Sequence, residues 1–166
     1  MKRSLVPLLV ALVAGALLSL SSAAFAEGVT HRVSVGSADS LPPPGFDANF
    51  SLSAIQRADG TVTGEWEDTF QGRPAPAFVV HVDINCLEVV GNDAWVSGPL
   101  KVLPPDLAFL IGLTAITRVR DNGTSANDPA DQVSFTFLAS DVGVDDCHDM
   151  PDLPLFDLIN GEVKVQ

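Results

Sequence analysis

From residue 29 onward, apolar and polar positions alternate in short runs, and turn residues interrupt these runs about every ten positions. Val29–Val35 alternates weakly and reads as a first strand. Phe50, Leu52 and Ala54 then point one way, with Ser51 and Ser53 the other. After the hairpin signal Ala58-Asp59-Gly60, the next run places Val62, Gly64 and Trp66 on one face and Thr61, Thr63 and Glu65 on the other. The clearest strand has Val80, Val82, Ile84 and Cys86 on one face and His81, Asp83 and Asn85 on the other. Leu87, Val89 and Val90 switch parity, which predicts a bulge or an end buried on both sides. Gly91-Asn92 turns the chain into Ala94-Trp95-Val96 as the partner strand.

Two stretches punctuate the early chain. Ser40-Leu41-Pro42-Pro43-Pro44-Gly45 cannot extend a ladder, because three successive prolines offer no donors, and Gln71–Pro76 is a second break. Leu107–Val119 reads two ways. Asp106 is placed to cap a short helix through Ile111, whereas the β-branched residues from Ile116 favour a strand beginning near Gly112. Val133, Phe135 and Phe137 alternate with Ser134 and Thr136 as another strand. Leu153–Leu158 reads as a helical turn, and Gly161–Val165 as a closing strand. Such spacing predicts an all-β fold, a single antiparallel sandwich or small barrel of about eight strands.

Ahead of this pattern stands a different one. Lys2 and Arg3 precede an apolar run, Leu5–Leu20, and Ala24-Phe25-Ala26 offers the small residues that signal peptidase requires. The run is about 16 residues, short of the roughly 20 that span a bilayer, so cleavage after Ala26 is expected rather than anchoring. The organisation is then a signal peptide at 1–26, an N-terminal strand with a proline-rich connector at 27–48, and a β-domain at 49–166. The mature chain would be secreted or periplasmic, with no membrane insertion after cleavage.

Two cysteines, Cys86 and Cys147, are the only ones in the chain. In an exported protein they are expected to form a disulfide that staples the acidic C-terminal region to the sheet. Loss of Lys2 and Arg3 leaves seven basic residues against 21 acidic, which takes the formal charge from −12 to −14. Such a chain repels nucleic acid and anionic membrane surfaces. From Asp121 to Asp157 there are nine aspartates and no glutamate, lysine or arginine. A solvated loop region accounts for this run. Calcium is the one cofactor it suggests, with Asp121, Asp128, Asp131, Asp145 and Asp146 as candidate ligands, although the spacing is not that of an EF-hand. His81 and Asp83, two apart on one strand face, are spaced to share a metal, with His148 as a third ligand, and Glu65 and Glu67 form a carboxylate pair. All four strand residues are also what a hydrated sheet face carries. No nucleophile elbow, phosphate loop or dinucleotide fingerprint is present.

One order of motifs is familiar: Cys86-Leu87-Glu88-Val89, Gly91-Asn92-Asp93-Ala94, Val119-Arg120-Asp121-Asn122-Gly123, Asp146-Cys147 and Gly161-Glu162-Val163-Lys164-Val165. It resembles a loose group of small exported bacterial β-rich proteins of uncharacterised function. The similarity runs from about Val62 to the C-terminus and departs at Val90 and Trp95. The resemblance implies a compact β-domain and supports the disulfide; it carries over no catalytic residue. The expectation is therefore an exported β-domain that binds a partner or serves a structural role, more a non-enzyme than an enzyme. The alternatives are a calcium-stabilised module and a hydrolase with a carboxylate or His/Asp site.

Overall fold

The computed structural model describes residues 28–38, 47–71, 78–125 and 127–166. The leader at 1–26, the proline connector at 40–45 and the break at 72–76 lie outside the described residues. The strands are β1 (Val29–Ala38), β2 (Asp47–Arg57), β3 (Val62–Gln71), β4 (Phe78–Ile84), β5 (Cys86–Val90) and β6 (Asp93–Val102), followed by β7 (Thr114–Arg120), β8 (Gln132–Ser134), β9 (Phe137–Leu138), β10 (Leu155–Asp157) and β11 (Asn160–Val165). They form an antiparallel sheet in the order β10-β8-β7-β6-β4-β3-β2-β1-β11, with β5 also on β6 and β9 also on β7. The all-β class holds. The strands number eleven among the described residues rather than about eight, because two expected long strands are each broken and Leu155–Asp157 adds one more.

The last stretch of chain rolls this sheet up. β10 pairs with β8 at one margin and β11 with β1 at the other, yet only Leu158 and Ile159 separate them. The two margins are thus tied by consecutive residues, and the inward faces close on one another. Val33, Phe50, Trp66, Val82, Val119 and Val163, from six strands, are each at most 1 % exposed in a single apolar cluster. Burial of each such side chain is worth about 1.5–3 kcal/mol. The alternation in β2 and β3 falls as expected, with Phe50, Leu52, Ala54 and Trp66 inside and Ser51, Ser53 and Glu65 outside.

The switch of parity comes one residue earlier than the pattern predicts. β4 ends at Ile84, and Asn85 breaks the run, its N–H donating to the Ser97 carbonyl at 3.1 Å. Cys86 therefore leaves the face of Val80, Val82 and Ile84, and Leu87 takes its place in the interior. Gly98 permits the crossing: a Cβ there would sit 1.9 Å from the Asp83 carbonyl oxygen. β4 and β5 act as one bent strand laid along β6, which pairs with β4 at Leu100 and Val102 and with β5 at Asp93–Ser97.

Three further expectations are corrected. Asp106 caps nothing; a 3-10 turn, Pro105–Leu110, begins with Pro105 and carries no side-chain cap. The strand expected through Val133–Phe137 splits into β8 and β9, with Phe135 and Thr136 outside both ladders. Leu155–Asp157 is strand rather than helical turn, because β8 offers it an open edge. Residues 139–153 then fold over the outer face of β5, β6 and β7, so those strands are buried on both sides.

Candidate functional site

Strand register brings the four predicted surface residues together. Glu65 lies opposite Asp83, and Glu67 opposite His81, on the outward face of β3 and β4. His81 Nε2 is 3.1 Å from Glu67 Oε2, and Lys101 Nζ is 2.9 Å from Asp83 Oδ1. The hydrogen bond to Asp83, with that carboxylate's charge, holds the Lys101 ammonium above its usual range. Glu67 Oε1 also accepts from Thr69 Oγ1 at 3.2 Å. These side chains are half-exposed and face outward from the barrel, and three of the four are already engaged with a neighbour. A carboxylate dyad for hydrolysis instead needs a substrate held between its two members. His148 does not join His81 and Asp83; its Nδ1 pairs with Glu88 Oε2 at 2.9 Å.

Four of the five candidate calcium ligands serve the backbone. Asp131 is buried, and its Oδ1 and Oδ2 each accept a backbone N–H at 2.7 Å, from Asn122 and Val163, while its carbonyl accepts from Leu158 at 2.8 Å. Asp121 Oδ1 accepts from Gly123 N–H and its Oδ2 from Val165 N–H, at 2.9 and 3.1 Å. These two aspartates stand where a strand ladder would otherwise join β11 to β7 and β8, and they span the barrel seam. Asp128 Oδ2 closes its own loop by accepting from Ser125 N–H. Asp145 and Asp146 lie in the cover, where Asp146 Oδ1 accepts from His148 N–H and caps the turn Cys147–Asp149. Among the described residues, the one trio of ligand atoms within 4.8 Å of one another is that of Cys86, Cys147 and His148. Its two sulfurs are bonded to each other. Replacing Asp131 with Ala would strand the buried Val163 N–H and the part-buried Asn122 N–H, each giving up a charge-assisted bond of about 1.5–3 kcal/mol. The expected loss is about 3 kcal/mol, read from the urea midpoint; a change under about 1 kcal/mol would remove Asp131 from the seam.

The disulfide holds the cover down. Cys86 and Cys147 are joined with their Cα atoms 5.8 Å apart, and both are buried with Trp95. The Cys147 N–H donates to the buried Ser97 Oγ at 3.0 Å, and Trp95 Nε1 donates to the Pro151 carbonyl at 2.8 Å. The Arg118 guanidinium lies 4.9 Å from the Trp95 ring centroid and donates to Asp93 and Asp152, both at 2.9 Å. Burial pushes the Asp93 carboxyl up, but hydrogen bonds from Arg120 and Arg118 outweigh this and hold it below its usual range. None of this arginine network was flagged by the sequence pattern, since its members are distant in the chain and share only the outward parity of β6 and β7.

A second unanticipated residue lies inside. Asp68 has the same parity as Trp66 and faces the core between Phe50 of β2 and Val80 of β4. It is wholly buried; Oδ2 accepts from Thr136 Oγ1 at 3.2 Å, and Oδ1 has no partner among the described residues. Trp66 Nε1, on the same face, is also buried without one. Burial pushes the Asp68 carboxyl up to about 7, with Thr136 opposing only weakly. Parity counted two residues past Trp66 is the signal that identifies it.

No protein-family model, no curated protein and no solved structure matches this chain.

Proposed function

We propose that this chain is an exported, non-enzymatic module that binds a partner or bears a structural role at the cell envelope or in the secreted space. The observation that carries the reading is the buried Cys86–Cys147 bond, which fastens residues 139–153 over one half of the barrel's outer surface. A bond so placed supports a protein that matures where disulfides persist. The other half, the outward face of β2, β3 and β4, stays uncovered and polar. It is the surface offered to a partner, and Glu67, His81, Asp83 and Lys101 on it are held in pairs. Among the described residues no helix is long and apolar enough to cross a membrane.

Assays against polysaccharide, ester and peptide substrates test the non-enzymatic part. No turnover is expected that any single substitution at Glu65, Glu67, His81 or Asp83 abolishes; turnover lost in one such variant would restore the hydrolase reading. The run of nine aspartates without a basic residue favours a calcium-stabilised module as the alternative. Because Asp121, Asp128 and Asp131 already accept backbone N–H groups, millimolar calcium is expected to leave the melting temperature unmoved. A ligand bound only by the native state at about 100 times its Kd would add roughly 2.7 kcal/mol, so a rise of several degrees would reverse this.

A further inference from the structure

Asp68 is placed where a charge is hard to keep. The β2 and β4 ladders flank it without interruption, from Phe50 and Val80 respectively. The groups turned inward around it are apolar: Phe50 and Leu52 from β2, Val80 and Val82 from β4, Trp66 from its own strand. Among the described residues, no other ionisable side chain faces it from these elements. The remaining buried carboxylate, Asp131, sits at the seam with both oxygens engaged. Among the described residues, the one polar group that reaches Asp68 is the Thr136 hydroxyl.

Thr136 comes from the weakest part of the wall. It and Phe135 lie between β8 and β9 and belong to neither ladder, and only short pairings flank them: Ser134 with Leu155, and Phe137 and Leu138 with β7. The Phe135 ring packs edge-on against Phe137 and Phe156, contacts that a small displacement would loosen. A buried carboxylate with a single hydrogen-bond donor has not recovered its hydration, and the nearest remedy is water admitted through this break.

We propose that Asp68 is a proton-operated latch: as a neutral acid it lets the wall close over it at Thr136, and as a carboxylate it favours a form in which residues 134–138 swing away and water enters. The closed form binds the proton and the open form releases it to solvent. An open-form carboxyl titrates near the ordinary value of 3.8, whereas the closed-form carboxyl titrates at about 7. Between those values the closed form holds one more proton, so opening grows about tenfold per pH unit and levels off above the closed-form value.

Hydrogen exchange of the intact, disulfide-bonded protein from about pH 4.5 to 8.5, corrected for the intrinsic exchange rate, tests this. Amides of residues 134–138 are expected to lose protection about tenfold per unit up to roughly pH 6.5 and then plateau, while amides of β1 and β2 keep theirs. Asp68→Asn should remove the pH dependence in 134–138. Thr136→Val removes the one interaction that favours the carboxylate, so its plateau should begin at higher pH. If Asp68→Asn does not fold, the Thr136→Val shift carries the test. Unchanged protection of 134–138 across the range, an equal loss in β1 and β2, or a plateau that Thr136→Val leaves in place would each overturn the latch.

Discussion

Asp68→Asn should gain stability on the wild type as pH rises, by about 1.4 kcal/mol per unit between roughly pH 4 and 7. In the folded wild type the carboxyl titrates at about 7, against 3.8 when exposed. Folding therefore takes up a proton within that window. The stability linked to that proton is fully present below the unfolded value and is lost as pH rises through the folded one. Integrated across the window, the loss amounts to about 4 kcal/mol, a large fraction of a typical domain's 5–15 kcal/mol. Opening of residues 134–138 would cap it, because the open form also releases the proton. The asparagine carries a fixed cost from its buried amide, and this does not vary with pH. Urea unfolding of both proteins at about pH 4.5, 6 and 8 gives the difference directly; a difference constant within about 0.5 kcal/mol would show that Asp68 is not ionised against a burial penalty.

Removal of the disulfide has an effect of similar size by a different route. The bond closes a sequence separation of 61 residues, and loop-closure entropy then gives about 4 kcal/mol from restriction of the unfolded chain. Cys86→Ala with Cys147→Ala should lower stability by that amount, or about 2 M in the urea midpoint. The double variant should also release the cover locally. Without the bond, Cys147 N–H, Trp95 Nε1 and Asp152 hold residues 147–152 to β6 and β7 through three hydrogen bonds. Trp95 emission should shift to the red while the barrel interior, with Trp66, remains folded. A loss under about 1 kcal/mol with unchanged Trp95 emission would mean that the cover holds itself down.

The strands that face water on one side were legible, because their period-two pattern records burial directly. β2, β3 and β4 fell where Phe50, Leu52, Trp66, Val80 and Val82 placed them, and the Asp59-Gly60 turn joins β2 to β3 as its residues require, with Gly60 at φ 84°. The cysteine pair was legible from its count, two in the whole chain. Strands buried on both faces were not, since continuous burial erases alternation; β6 is buried at five successive positions. The parity break at Asn85 was hidden because Cys86 is as apolar as the residue expected there, and only the close passage of Gly98 over Asp83 reveals the bend. The seam escaped notice for another reason. Asp131 and Asp121 act on Val163 and Val165, at separations of 32 and 44 residues, and composition reads the same aspartates as solvated acid or calcium ligands. The outward cluster was half legible. The sequence supplied Glu65 with Glu67 and His81 with Asp83, but their pairing across β3 and β4, and the arrival of Lys101, depend on register.

We propose that an exported chain matures into a barrel whose cover is fastened by the Cys86–Cys147 bond. The intact mass of the protein recovered outside the cytoplasm, measured with and without a thiol-alkylating reagent under denaturing conditions, tests it most directly. The expected chain begins at Glu27, is two hydrogens lighter than its dithiol, and is unchanged by the reagent until reduced, when it takes up two equivalents. A chain that retains residues 1–26, or one that is alkylated at both cysteines before reduction, would contradict it.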